Sequence, residues 1–473
     1  MKPIKKICCI GAGYVGGPTM SVIADRCPHI LINVVDTNKS RIEEWNDSNL
    51  ENLPIYEPGL KQIIKRCRNK NLFFSVNVQK HIHEADMIFI SVNTPTKTKG
   101  IGAGQASDLK WIEASARQIG KYATGKTIVV EKSTLPVKTA ETIKKILSSS
   151  SKLNKENANE LNEFFILSNP EFLAEGTAIN DLENPDRVLI GGEDKSAIEA
   201  LKEIYLNWVK EDKILTTDIW SSELSKLIAN AFLAQRVSSI NSISALCEST
   251  QANINEVAKA IGMDKRIGKF FLKAGPGFGG SCFKKDILNL VYISNHFGLS
   301  EVANYWEKVI EINDWQKKRI TKLIVEKMFG NVSGKKIAIL GFAFKSNTND
   351  TRESPAISIC KDLIEEGSFL SIFDPKVKID KIKSELEMSP GKNESIQNNL
   401  GKWDYANSID EAVQRSDSIV VLSDWEEFYN LDYEGIINKM RQPSWIFDTR
   451  NVVNIKIAKK TGFNVWSLGS ANL

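Results

Sequence analysis

Cys282 lies in the segment Gly275-Pro276-Gly277-Phe278-Gly279-Gly280-Ser281-Cys282-Phe283-Lys284-Lys285-Asp286, and no other of the chain's 7 cysteines has such surroundings. Glycines let the backbone turn tightly and let a ligand approach it closely, so a thiol directly behind them can lie open at the floor of a site. A thiol attacks only as the thiolate, a minor form of free cysteine near neutral pH. A neighbouring lysine or a helix N-terminus raises that fraction. Lys285 and Asp286 stand three and four residues further on. A lone cysteine is also commonly a small buried hydrophobe, so the loop by itself leaves a catalytic and a packing role both open.

Two other pairs have spacings that suit chemistry. Lys226 and Asn230 are four apart within residues 221–247, a stretch apolar on most sides through Leu224, Leu227, Ile228, Ala231, Phe232, Val237, Ile240 and Ile243. A helix apolar nearly all round is buried, here in a domain or subunit interface. That leaves a polar cleft as the natural direction for Lys226, where its ammonium would stabilise an oxyanion beside a thiol. Ser168-Asn169-Pro170-Glu171-Phe172-Leu173-Ala174-Glu175-Gly176 reads as a strand end, an N-cap at Asn169, Pro170 at the first helical position and one short turn. Glu171 and Glu175 would then share a face, either simply solvated or, at the carboxyl end of a strand, part of a ligand site.

A third constellation binds rather than reacts. Gly11-Ala12-Gly13-Tyr14-Val15-Gly16 follows an apolar run and opens a helical pattern, and Asp36 closes the next apolar run. The first glycine makes the turn, the second admits a pyrophosphate and the third allows close helix packing, with the acid on the ribose hydroxyls. A carboxylate there also repels a 2′-phosphate, so NAD is expected over NADP. Arg41 is then expected near the adenine or in solvent. The later loop Gly341-Phe342-Ala343-Phe344-Lys345 has a single glycine and a cation, which suits a phosphate- or sugar-bearing substrate better than a second dinucleotide. A repeat that has lost its ligand is the alternative.

Elements of a definite kind must position these groups. Residues 4–10, 31–35, 86–92, 126–130, 164–167 and 187–190 read as strands separated by helical stretches such as 19–26 and 109–122. Such alternation implies a parallel sheet covered by helices. Residues 148–163 are polar and read as a surface loop or an extended helix end. Long helices over 221–247 and 302–328 follow, and the alternation resumes with strands at 336–340, 369–373, 418–422 and 445–447, around a polar stretch at 384–401. The expected fold class is α/β: two Rossmann-like doubly wound domains, 1–215 and 329–473, joined by a helical central and dimerisation domain, 216–328.

Composition sets the limits. At 473 residues the chain exceeds one hydrophobic core. Its 62 Lys and Arg against 58 Asp and Glu give a net charge of +4, with no basic stripe to suggest nucleic acid. An odd cysteine count without a C-x-x-C pair argues against a disulfide framework or a zinc site, and no metal is expected. No apolar run approaches the length of a membrane helix, so a cytoplasmic protein is expected.

With these segments assembled, the chain resembles the UDP-glucose/GDP-mannose dehydrogenase family over nearly its whole length: GAGYVGGPT, FISVNTPTKT, EKSTLP, SNPEFLAEGTAI, NPDRVLIGG, WSSELSKLIANAFLAQR, GFGGSCF, KKIAILGFAFK and DTRES. The resemblance implies NAD-dependent, four-electron oxidation of UDP-glucose at C6 to UDP-glucuronate. Cys282 would hold the C6 carbon as a thiohemiacetal and then a thioester, with Lys226, Asn230 and Asp286 stabilising oxyanions and positioning water. Asp286 or Lys226 would take the first proton, and Glu171 and Thr134 would assist hydrolysis. Implied cofactor contacts are Gly11 to Gly16, Asp36, Arg41, Val92, Asn93, Thr94, Pro95, Thr96, Ser133, Thr134, Glu175 and Arg352. Implied substrate contacts are Glu171, Phe172, Leu173, Lys226, Asn230, Lys273, Phe278, Gly279, Gly280, Phe344, Lys345 and Arg450. Arg266 would reach the substrate of a neighbouring subunit, in at least a dimer with a hexamer as the larger alternative.

Lys284 departs from the family's more usual Gln or Pro and adds a charge beside the thiol. A sister activity on GDP-mannose or a UDP-N-acetylhexosamine is the nearest rival. A non-enzymatic NAD or nucleotide-sugar sensor is disfavoured, because a pure binder needs no nucleophile.

Overall fold

The computed structural model describes residues 3–133, 139–153, 162–391 and 401–470. The chain divides into two compact units, residues 1–229 with 288–297, and residues 230–287 with 298–473. The first is built on eight strands: β1 (Lys6–Ile10), β2 (Leu31–Val35), β3 (Leu72–Ser75), β4 (Met87–Ile90), β5 (Lys126–Glu131), β6 (Glu163–Ser168), β7 (Val188–Gly192) and β8 (Ile214–Thr217). Their order is β3-β2-β1-β4-β5-β6-β7-β8, and every pair is parallel except β6 with β7. Alternate residues feed two cores. Ile7, Cys9, Phe89 and Val130 pack on one face, and Cys8, Ile10, Ile88 and Val129 on the other. Burial on both faces is why these strands are continuous apolar runs. The strand order reverses between β1 and β4, which opens a crevice at their carboxyl ends.

The second unit carries β9 (Lys336–Leu340), β10 (Phe369–Phe373), β11 (Lys402–Tyr405), β12 (Ser418–Val421), β13 (Trp445–Asp448) and β14 (Asn464–Ser467). All are parallel, in the order β11-β10-β9-β12-β13-β14. Its core joins the sheet to Ile320 and Ile324 of a 28-residue helix, Ser300–Lys327, and to Ile240 and Cys247. Those last two lie on a 32-residue helix, Ile219–Thr250, which starts in the first unit and continues in the second.

The fold is thus the expected one, two doubly wound α/β sheets with a helical middle region. Strands β3, β8 and β11 were not anticipated. Each has 4 residues and sits at a sheet edge, where a single neighbour leaves most of the strand only partly buried and the apolar signal weak. The polar stretch after residue 147 begins as the end of a helix, Thr139–Leu153; residues 154–161 and 392–400 lie outside the described residues. Among the described residues no helix is long and apolar enough to cross a membrane.

Candidate active site

In the first unit the glycine turn leaves β1 and enters the helix Gly16–Arg26. Gly11 has φ 110°, and a Cβ there would strike the carbonyl of Ser91 at the end of β4. A Cβ at Gly16 would strike the Gly11 carbonyl, whereas Gly13 has nothing within 4 Å. Turn, open approach and close packing therefore fall to the glycines expected to provide them. Asp36 accepts the Ala12 N–H at 3.0 Å and the Asn38 N–H at 2.9 Å, and its side chain stays 13% exposed. Arg41 pairs with it at 3.2 Å instead of standing free in solvent. Trp45, not anticipated, closes the turn from below by donating Nε1–H to Ala12 O at 3.0 Å.

Of the loop after β4, Asn93 and Pro95 are exposed, Thr94 is buried, and Val92 and Thr96 are half-buried. Ser133 donates its hydroxyl to Val92 O at 2.7 Å, joining this loop to the end of β5. Thr134 lies outside the described residues.

At the end of β6 the expected helical turn is absent: residues 169–174 form neither helix nor strand, and the next helix is Ala178–Glu183. The residue before a proline is pushed out of the helical region. The Asn169 side chain is also committed to a buried network. It donates to Leu189 O at 2.8 Å and accepts from Tyr205 OH at 2.6 Å and Lys132 Nζ at 3.0 Å. Glu171 and Glu175 consequently do not share a helix face. Glu171 faces Lys226 instead, at 3.7 Å, with each side chain 5% exposed. Phe172 has two cations at its ring, whose centre is 5.4 Å from Lys226 Nζ and 3.7 Å from the Arg187 guanidinium. Leu173 and Glu175 are half-buried, and Glu57 anchors the segment by accepting the Gly176 and Ala178 N–H groups. Two opposite charges within 4 Å at such burial form a buried ion pair, whose desolvation is offset only where further hydrogen bonds support it.

In the second unit Cys282 immediately precedes a 14-residue helix, Phe283–His296, and is the one half-buried thiol among seven. Ser281 Oγ lies 3.4 Å from its sulfur. Asp286, one turn into the helix and 1% exposed, accepts Asn230 Nδ2–H at 2.6 Å and has Lys285 Nζ at 3.5 Å. The glycine loop before the thiol is held by amides that the sequence reading missed. Asn241 accepts the Gly275 N–H, Gln316 donates to Gly275 O, and Asn313 bonds both the N–H (2.7 Å) and the carbonyl (3.2 Å) of Phe278. Gly279 and Gly280 leave no room for side chains. A Cβ at either would meet Phe344, at 2.8 and 3.1 Å, and Gly280 N–H bonds Arg352 O. The added charge of Lys284 is paired with Glu353 at 3.0 Å.

Phe344 O accepts Arg450 Nη2–H at 2.9 Å, and Lys345 is half-buried beside it. Burial lowers the pKa of Arg450 from its ordinary value. Lys273 reaches Asp424 at 3.1 Å. Burial opposes ionisation of Asp424, but Arg450 and Lys273 outweigh it and hold its pKa at about 2. Lys273, Lys345 and Arg450 thus form a cationic cluster around the single-glycine loop. Arg352 forks onto Asp350 at 2.8 and 2.6 Å, and exposed Arg266 onto Asp264 at 2.6 Å. No metal-binding group of His, Cys, Asp and Glu occurs among the described residues.

An open glycine turn with its acid, on one of two doubly wound sheets, defines an NAD-linked dehydrogenase. The sequence matches the NAD binding domain of the UDP-glucose/GDP-mannose dehydrogenase family over residues 5–209, its central domain over 220–315 and its UDP binding domain over 338–455. The chain belongs to that family. It is 55% identical over 480 residues to UDP-glucose 6-dehydrogenase 5 of Oryza sativa subsp. japonica and 54% identical over 479 residues to UDP-glucose 6-dehydrogenase 4 of Arabidopsis thaliana, each alignment covering 98% of this chain and 97% of the relative. Among solved structures, a UDP-glucose dehydrogenase from Pyrobaculum islandicum superposes with a TM-score of 0.82 at 26% identity, covering 99% of this chain and 98% of the other.

Proposed function

We propose that this chain oxidises C6 of UDP-glucose from alcohol to carboxylate, giving UDP-glucuronate, through a covalent intermediate on Cys282. The carrying observation is the thiol itself: half-buried, directly behind a glycine loop, at the start of a helix whose N-terminal partial charge favours the thiolate. The NAD-binding turn fits NAD, with Gly13 open and Asp36 at the ribose position. Bound NAD⁺ supplies the hydride acceptor for each of two oxidations.

Asp286 or Lys226 takes the C6 hydroxyl proton as the alcohol becomes an aldehyde. The Cys282 sulfur then adds to that carbonyl, and Lys226 and Asn230 stabilise the oxygen of the thiohemiacetal. Loss of a second hydride leaves a thioester, which water cleaves to carboxylate and free thiol. Glu171, aided by Thr134, steers that water. Phe172, Leu173, Lys273, the 278–280 loop, Phe344, Lys345 and Arg450 hold the nucleotide sugar, and Val92 to Thr96, Ser133, Glu175, Arg41 and Arg352 complete the cofactor site.

We assign residues 1–215 to the cofactor, 216–328 to assembly and 329–473 to the UDP-sugar, in a cytoplasmic homo-oligomer. Exposed Phe232, Leu246, Met263, Phe270 and Tyr305 on the central segment support the assembly reading.

The test is stoichiometry with NAD⁺ and a panel of nucleotide sugars. Two NADH should form per UDP-glucose consumed, with no released aldehyde, and Cys282→Ala should make no acid while still binding NAD. One NADH per substrate with free aldehyde, or acid from Cys282→Ala at the parent's rate, would falsify the covalent route. Preference for another nucleotide sugar would overturn the substrate assignment.

A further inference from the structure

β5 ends in a carboxyl group that has no part in the chemistry above. Glu131 is 2% exposed, and Glu223, one turn before Lys226 on the helix Ile219–Thr250, is 4% exposed. Neither oxygen of Glu131 meets an N–H or O–H donor; across the ladder from it stands Ser168, which Ser222 bonds, and the charge that acts on it is that of Glu223. Two ionised carboxylates are acceptors only, so the two can bond only while a proton lies between them. Burial first, and the Glu223 charge second, push Glu131 well above the ordinary carboxylate range, which favours its protonated form.

Glu223 also accepts the Ala140 N–H at 2.9 Å, at the start of the helix Thr139–Leu153. The residue before it, Ser222, bonds Ser168 Oγ at 3.0 Å, and a Cβ at Gly191 would run into Ser222. Other charged groups of this region among the described residues have partners of their own. Lys132 bonds Asn169 and Tyr205, Lys226 faces Glu171, and Glu141 pairs with Lys145. Among the described residues Glu223 is the one charged group that shifts Glu131.

We propose that Glu131 and Glu223 form a proton-sharing pair that positions Lys226, by fixing the helix turn that carries it against the ends of β5 and β6. An ammonium about 6 Å from a helix axis moves about 1 Å when that turn rotates by about 10°, given the helix diameter. A misplacement of that size can cost on the order of 10²-fold in rate. The proposal rests on the preceding reading only in taking Lys226 to serve the reaction. Because the folded-state pKa is raised, the bond is intact at low pH and is lost as pH rises through that value, when the pair becomes doubly charged.

The experiment compares Glu131→Leu, Glu131→Gln and Lys226→Ala by kcat, KM for UDP-glucose, NAD Kd and the pH profile of kcat. Glu131→Leu, which takes the shared proton away from Glu223, should lower kcat by about 10- to 100-fold with NAD Kd changed less than about threefold. Glu131→Gln donates an N–H to Glu223 and has no proton to lose. It should recover about tenfold of that loss and move the alkaline limb up by about one pH unit or more. A folded Glu131→Leu at parental kcat, or an unmoved alkaline limb in Glu131→Gln, overturns the pair's role; if the Leu variant does not fold, the Gln profile decides alone. Lys226→Ala separates the two readings. If it turns over like the parent, the role of Lys226 fails. If it is slow while the Glu131 variants behave as the parent, only the positioning fails.

Discussion

Asp36 and Asp374 follow the second strand of their respective sheets, yet only one is free to choose a cofactor. Asp374 is 2% exposed and spends Oδ2 on the Phe342 and Ala343 N–H groups and on Trp425 Nε1, with Oδ1 on the Lys376 and Val377 N–H groups. The carboxylate thus occupies donors that a dinucleotide phosphate would need, and the second sheet is left to the cationic cluster of Lys273, Lys345 and Arg450. Asp36 gives Oδ2 to one N–H and to the half-exposed Arg41, which leaves it a place on the solvent side. Hydrogen bonds to charged groups contribute roughly 1.5–3 kcal/mol. Asp36→Ala should therefore weaken NAD binding by about tenfold or more and narrow the preference over NADP, since Arg41 loses its carboxylate and can meet a 2′-phosphate. Titration of both cofactors by NADH-type fluorescence checks this; a variant as selective as the parent would remove Asp36 as the selector. The sequence carried this contrast in part. One glycine in place of three marked the second loop as different, but the filling of its donors by Asp374 and Trp425 depends on long-range packing that no local spacing encodes.

The thiol loop at 275–282 was legible as an element because glycine density is a local property. Its support was not. Asn241, Asn313 and Gln316 come from two long helices, and a single amide on an apolar face gives no periodic signal before its partner is known. The same holds for Lys132 and Tyr205, whose meeting with Asn169 ended the helical turn expected at 170–175. Asn313 is 1% exposed and makes two bonds to Phe278, so Asn313→Ala leaves a buried N–H and a buried carbonyl unsatisfied. Each such group costs about 1–3 kcal/mol. The variant should lose about 2–4 kcal/mol of unfolding free energy by denaturant titration. It should also alkylate at Cys282 at a changed rate, because the loop that sets the thiol's position is released. Unchanged stability together with unchanged alkylation would show that the loop holds its shape without this amide.

At the scale of the whole molecule, the helix Ile219–Thr250 was expected to be apolar on most sides because it is buried, and that holds for part of its surface. Leu227, Ala231 and Ala234 are fully buried and Ile240 nearly so. Phe232 and Leu246, by contrast, are 56% and 57% exposed, and Met263, Phe270 and Tyr305 of the same unit are exposed as well. Large exposed apolar groups in this number on one unit point to an interaction surface. Homo-oligomers usually close through twofold symmetry, in which one patch meets its own copy, and such a partner would cover these residues. The informative substitution is on the open side of the helix, since a charge at Ala231 would test the fold instead of the assembly. Leu246→Glu places a carboxylate where the proposed partner sits, so that association would desolvate it without a counter-ion. The parent should run as at least a dimer by size-exclusion with light scattering, and Leu246→Glu should run smaller while keeping its thermal unfolding midpoint within a few degrees. Turnover should fall with dissociation if Arg266, paired with Asp264 on the surface of its own chain, serves the neighbouring subunit's substrate. A fully active monomeric parent would end the assembly proposal, and a dissociated but fully active Leu246→Glu would confine Arg266 to its own subunit.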